Sequence, residues 1–418
     1  MLTRLDLRGA TNLAALSQPL AADDDVTVAV RAIVADVRAR GDVALRELTL
    51  RFDGCAVDDL RVPAAALDEA LDRADPEFRD ALEYAHARIR AYHEQQVQPV
   101  PRLAHDGIEL EEIVRPVDRA GAYVPGGRAQ YPSTVLMTVV PAQVAGVPEI
   151  ALCVPPRPDG RVGGATLAAA ALAGVQEVYR VGGAQAIAAL AYGTETIRPV
   201  DVVVGPGNAY VAAAKREVAG VVGIDALAGP SEVVVVADAS TPPEFAAADL
   251  VAQAEHGPGG AAVLVTWDPD VADRVGALID GQVGESGRVV LVDGPEQAMA
   301  VVNTIAPEHL ELLAADADAL VPLVRNAGAV FVGPWAPAAV GDYVAGVNHV
   351  LPTARTARFA SALRVDTFRK HIHVVRVTAD GLDAVSAHVE ALAAAEGLDA
   401  HGRSVAIRRA AALAQDRR

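Results

Sequence analysis

Gln253 and His256 carry the spacing of a metal site. They close an apolar segment, DLVAQAEHG at 249–257, which PGG follows at once. A helix predicted over 245–256 puts the two side chains three apart on one face. Imidazole suits zinc and other first-row divalent ions, and an amide oxygen can complete such a site. The same residues also read as an ordinary polar helix end, with His256 near the negative pole and Gly257 at C′.

A second group lies in NTIAPEHLEL at 303–312. Pro307 reads as a helix start, with Glu308 and His309 in the first turn. The dipole there favours a carboxylate and disfavours imidazolium, which biases His309 towards the neutral base that proton abstraction needs. The plainer alternative is an acidic residue well placed at a helix start beside a packed histidine. In VGDYVAGVNHVLPT at 340–353, Gly, Pro and Asn are too frequent for a regular element. An ordered loop there could present Asp342 to a metal ion, or it could be a polar turn with Asn348 in a left-handed conformation. Glu396 and His401, in EGLDAHGRS, follow an Ala-rich helix and read equally as solvated surface.

Three glycine-bearing turns offer a different chemistry: YVPGGRAQYP at 123–132, VGGAQA at 181–186 and VGPGNAY at 204–210. Glycine lets backbone approach a phosphate while a helix N-terminus supplies donors. None has the G-x-G-x-x-G spacing, so each alone is weak evidence. Together, with Tyr123 offering a ring and Gln185 and Asn208 offering amides, they make a nucleotide crevice.

The elements that must position these groups follow from the apolar pattern. The first hundred residues read as helices over 26–40, 42–52, 63–74 and 76–96, after a weakly patterned arm at 1–22. From 108 to 127 short apolar lengths bounded by Gly and Pro read as strand and turn. Strands and helices then alternate twice, over 149–218 and over 232–332. That rhythm predicts an α/β fold with two Rossmann-like parallel-sheet domains. Expected boundaries are 23–118 with 231–356 for a first α/β domain carrying most of the metal and catalytic residues, 119–230 for a second that contacts nucleotide, and 357–418 for a C-terminal appendage. The 418 residues are 52% apolar, enough for such cores, and the net charge of −18 argues against a nucleic-acid or anionic-membrane partner. Cys55 and Cys153 are the two cysteines, so no disulfide framework is available and a reducing cytoplasm fits. No signal peptide or membrane span is expected.

Taken in order, GAYVPGGRAQYPSTVLM, VGGAQAIAALAYGTE, VGPGNAYVAAAKR, AGPSEVVVVAD, DLVAQAEHGP, APEHLEL, GDYVAGVNHVLPT and EGLDAHGRS resemble the histidinol dehydrogenase family. The resemblance runs from about residue 26 to the C-terminus. It implies oxidation of L-histidinol through the aldehyde to L-histidine, in the last steps of histidine biosynthesis, with two NAD consumed in turn. It implies one zinc held by Gln253, His256, Asp342 and His401, with His401 reaching in from the partner of an intertwined homodimer. It implies that His309 takes the alcohol proton and Glu308 activates the water that attacks the aldehyde. Ser231, His349 and Glu396 match substrate-contacting positions, as do the zinc ligands and the acid/base pair. Tyr123, Gln185 and Asn208 match positions that contact NAD. Cys153, in a buried-type strand, is expected to be structural. His371 and His373, near the expected site mouth, and the arm depart from the family pattern. A zinc hydrolase, with Glu308 activating metal-bound water on an amide or ester, is the rival reading.

Overall fold

The structure is a computed structural model, which describes every residue except 1–2, 14–15, 17–23, 127–128, 228, 256, 258, 280, 284–286 and 416–418. It forms two compact units, one of residues 1–96 with 117–368 and one of 97–116 with 369–418.

The first unit opens with strand β1 (Thr3–Asp6) and four helices, α1 (Asp24–Arg40), α2 (Asp42–Asp53), α3 (Ala64–Asp72) and α4 (Pro76–Glu94). In the second unit lie β2 (Arg102–His105) and β3 (Ile108–Pro116). The first alternating run is β4 (Arg119–Tyr123), α5 (Pro132–Ala145), β5 (Glu149–Cys153), α6 (Gly164–Leu172), β6 (Glu177–Tyr179), α7 (Gly183–Tyr192), β7 (Val202–Val204), α8 (Ala209–Val218) and β8 (Gly223–Ile224). The second begins β9 (Glu232–Ala237), α9 (Pro243–Ala254), β10 (Ala261–Thr266), α10 (Pro269–Leu278) and β11 (Gly287–Leu291). It continues α11 (Pro295–Ile305), β12 (His309–Leu312), α12 (Ala317–Leu320), β13 (Ala329–Val332) and α13 (Ala338–Tyr343). The chain then returns to the second unit as β14 (Arg369–Val377), α14 (Ala379–Ala395) and α15 (Asp399–Gln415).

Each alternating run makes its own parallel sheet. One has the order β6-β5-β4-β7-β8 and the other β1-β11-β10-β9-β12-β13. In each, the chain moves outward on one side of its first strand and then crosses to the other, between β4 and β7 and between β9 and β12. Such a reversal is the Rossmann-like switch point. Helices cover both faces, so central strands such as β9 (EVVVVA) and β10 (AAVLVT) are apolar along nearly their whole length. On β9, Val233 and Val235 enter one core layer with Leu250 of α9, while Val234 and Val236 enter the opposite layer with Val301 of α11.

The helices of the first hundred residues join the β4–β8 sheet. On one face Val34, Val37 and Leu45 of α1 and α2 pack with Ile187 and Val211; on the other, Leu67 and Ile89 pack with Leu136 and Ala169. This differs from the expected grouping of 23–118 with 231–356, because apolar periodicity identifies a buried face but not the sheet that buries it. Residues 108–116 go elsewhere again, since β3 pairs antiparallel with β14 and β2. The arm also contributes an ordered strand, as β1 pairs parallel with β11 from Thr3↔Arg288 to Asp6↔Leu291. Helix α15, expected only as an Arg-rich end, packs on α14.

Candidate active site

The expected helix start at Pro307 is not formed. Helix α11 ends at Ile305, Ala306 adopts a left-handed φ of 53°, and His309 is the first residue of β12. The signal missed is the alternation of His309, Leu310, Glu311 and Leu312. Leu310 and Leu312 enter the α11 core, so His309 and Glu311 point to the other face of the sheet.

His309 is paired with Val233 across the sheet, so Glu308, His309, Ser231 and Glu232 gather where β9 and β12 begin. Helix α9 runs back against the strands and delivers Gln253, in its last turn, to the same edge. A Cβ at Gly260 would lie 2.7 Å from Ser231 O and 3.5 Å from Gln253 Nε2, which places both beside that turn. Helix α13 brings Asp342, so this carboxylate is helical rather than in the expected loop. The approach of α13 depends on Gly341, where a Cβ would stand 2.4 Å from the Phe331 ring. That ring in turn stacks on His309.

The hydrogen bonds fix the geometry. Glu232 N donates to Glu308 Oε2 at 2.9 Å. His309 Nδ1 lies 3.2 Å from Glu232 O, and Nε2 lies 3.3 Å from Asp342 Oδ1. A carbonyl can only accept, so Nδ1 carries a proton, and a proton on Nε2 would also find an acceptor. Burial alone would disfavour the imidazolium, but the Asp342 hydrogen bond and the Glu308 and Asp342 charges outweigh it and push His309 up to about 9. The neutral bias expected from a helix dipole is thus replaced by the opposite bias. Glu232 lies beside this pair; burial, then the Glu308 charge, push its carboxyl up to about 7. A carboxylate opening the apolar run EVVVVA was its signal in the sequence.

His349 is anchored by α5. Pro141 lies inside that helix and has no N–H to give Met137 O four residues earlier. Asn348 Nδ2 donates to that carbonyl instead, at 2.7 Å, and also meets His93 Nε2. One turn away, Thr134 Oγ1 lies 3.2 Å from His349 Nε2, while His349 Nδ1 lies 2.8 Å from Asp342 O. Asn348 is buried and not left-handed, which overturns the polar-turn reading.

The glycine turns lie at the carboxyl edge of the other sheet, around its switch point. Gly205 has φ 112°, and a Cβ there would stand 2.0 Å from Tyr123 O, so no side chain fits. Lys215 donates to Gly205 O and to Asp225 Oδ1, and Gly205 N donates to Asp225 Oδ2. Asn208 caps α8, accepting from Tyr210 N and Val211 N. Tyr123 is 3% exposed with its hydroxyl accepting from Gly183 N, so its ring is in the core and not open for stacking. Gln185 is buried as well. A cleft of about 190 Å³ opens beside these turns, lined by Pro125, Gly126, Gln130, Pro155, Arg157 and Thr166 among others.

His256 lies outside the described residues. Other sequence candidates fall outside this group. Glu396 is the C-cap of α14 and His401 lies in the first turn of α15, both in the second unit. His371 and His373 flank Glu112 on the β14–β3 ladder, at 3.0 and 3.6 Å. Cys153 is fully buried, and burial pushes its thiol up to about 12, as suits a structural residue. Among the described residues no cluster of three or more His, Cys, Asp or Glu forms a metal site. No described helix is long and apolar enough to cross a membrane.

The histidinol dehydrogenase family model matches residues 16–409. The chain belongs to the histidinol dehydrogenase family. It is 51% identical over 402 residues to the histidinol dehydrogenase of Rhizobium meliloti (strain 1021), covering 92% of each chain. To that of Synechococcus sp. (strain ATCC 27144 / PCC 6301 / SAUG 1402/1) it is 51% identical over 405 residues, covering 92% of this chain and 93% of the relative. The crystal structure of histidinol dehydrogenase from Elizabethkingia anophelis superposes with a TM-score of 0.92 at 34% identity, covering 97% of this chain and 98% of that one. The two α/β halves are therefore those of a histidinol dehydrogenase, and the chain is an oxidoreductase.

Proposed function

We propose that the chain oxidises L-histidinol through the aldehyde to L-histidine, using zinc and two NAD. The observation that carries this reading is His309, buried between Glu232 O and Asp342 with Glu308 beside it. Gln253, His256 and Asp342, with His401 of a partner subunit, would hold the zinc. An amide oxygen, a carboxylate and two imidazoles are a donor set that suits that ion, and Gln253 and Asp342 already belong to one sheet edge. Zinc so held would orient the amino alcohol for hydride transfer to nicotinamide.

Were Asp342 to hold the cation, its charge would no longer favour the imidazolium, and Nε2 of His309 would be free to take the alcohol proton. The Nδ1 bond to Glu232 O keeps the tautomer and ring orientation for that transfer. Glu308, held by Glu232 N, then takes the proton from the water that attacks the aldehyde. Hydration is what makes a second hydride available, so the glutamate beside the histidine accounts for a four-electron sequence. Tyr123, Gln185 and Asn208 shape the turns on which NAD would lie. Tyr123 does so by holding Gly183 N rather than by stacking. Ser231, His349 and Glu396 would contact substrate.

The test is purified protein with histidinol and NAD, together with metal analysis. Two NADH per histidinol and one zinc per chain are expected; no NADH would remove this reading and leave the hydrolase. Mixed His256→Ala and His401→Ala subunits should recover activity if sites are shared across a homodimer. No recovery after verified exchange would refute sharing.

A further inference from the structure

Two acids beside the site, one on β12 and one on α9, are used by none of these steps. Glu311 is fully buried, two residues beyond His309 on the same face of β12. Its Oε1 accepts from Ala338 N at 2.7 Å, the first residue of the helix that carries Asp342. Among the described residues no hydrogen-bond donor reaches its buried Oε2, and the Asp249 carboxyl lies within hydrogen-bonding reach of the Glu311 side chain. Asp249 stands one turn before Gln253 on α9, on the same face. Two carboxyls can hydrogen-bond only when one keeps its proton. Burial, which raises both, supports that state.

We propose that Glu311 and Asp249 share one proton and, as positioning residues, tie β12, α9 and α13 together so that His309, Gln253 and Asp342 face one another. An apolar pair would fill this volume at no desolvation cost, so packing alone gives no reason for two acids here. The directed bonds do what packing cannot, since each of the three elements carries one site residue and the pair fixes their relative rotation. The inference rests on the zinc reading above for Gln253 and Asp342.

The test compares Glu311→Gln, Glu311→Leu, Asp249→Asn and Asp249→Leu in the full-length protein. Zinc affinity is read by competition with a chromophoric chelator, and KM and kcat for histidinol are read at saturating zinc. An amide accepts from Ala338 N and donates to the partner carboxylate, so the Gln and Asn variants should stay within about twofold of the parent. The Leu variants should lose roughly tenfold or more in zinc affinity and raise KM, the scale expected of groups that orient ligands. If Glu311→Leu fails to fold, Asp249→Leu carries the same comparison. Folded Leu variants with parental zinc affinity and KM overturn the proposal, as do Gln and Asn variants as damaged as the Leu ones. A parent protein that retains no zinc yet oxidises histidinol overturns the zinc reading, and this inference with it.

Discussion

Replacing Lys215 by Met isolates what the buried pair beneath the Gly205 turn contributes. Lys215 and Asp225 side chains are 1% and 3% exposed, and their charged atoms are 2.5 Å apart. Lys215→Met leaves the Asp225 carboxylate with Gly205 N as its remaining described donor and takes a donor from Gly205 O. Removing one member of a buried pair costs about 3–5 kcal/mol, chiefly from the stranded charge. Asp225→Leu strands the ammonium and should cost a similar amount. The double variant strands neither, so its loss should fall short of the summed single losses by about 2 kcal/mol or more. Urea unfolding of all four proteins, followed by circular dichroism, gives the cycle. The same turn leads into Asn208, so Lys215→Met should also raise KM for NAD, roughly tenfold for each 1.4 kcal/mol of misplacement, with KM for histidinol unchanged. Additive losses, or an unmoved KM for NAD, would refute the reasoning.

His309→Asn should lower kcat for histidinol by roughly a hundredfold or more, while Glu308→Gln should chiefly impair the second oxidation and release aldehyde, read by trapping with a carbonyl reagent. Aldehyde from neither variant would contradict the division of labour. Glu232 is protonated more readily when folded, with its carboxyl raised from 4.5 to about 7. Its contribution is therefore complete below pH about 4.5 and is lost as pH rises through about 7. Glu232→Gln should flatten the stability profile over that window by on the order of 2 kcal/mol, allowing for screening. Cys153→Ala should keep turnover within about tenfold; a loss beyond a hundredfold, equivalent to about 2.7 kcal/mol, would show that the thiol takes part.

Patterns that depend on neighbours in sequence were legible, and those that depend on neighbours in space were not. The strand Glu232–Ala237 stands where its unbroken apolar run placed it, and α1, α4 and α9 fall within a few residues of their predicted spans. PEHLEL misled because Pro before an acidic residue is a helix-start signal, whereas the sheet won the competition through Leu310 and Leu312. No local signal could assign α1–α4 to the β4–β8 sheet, and the antiparallel pairing of β3 with β14 spans more than two hundred residues. Among the candidate residues, Glu308, His309, Gln253 and Asp342, singled out by their types, are gathered at one sheet edge. Glu232, Glu311 and Asp249 were passed over because acids in or beside an apolar element look like its solvated side, and only the fold shows that Glu311 is buried and the other two half-buried. Asn348 was read as a turn former because its partner, the carbonyl that Pro141 leaves without a donor, is far away in the chain.

The pairing of β1 with β11 has a practical side. Residues 3–6 cover the outer row of amides and carbonyls of β11, which would otherwise border the sheet. Clipping the first six residues would lay that row bare and invite strand addition between molecules, so aggregation should appear before any loss of catalytic parts. Proteolytic trimming of residues 3–6 is therefore a handling hazard to watch.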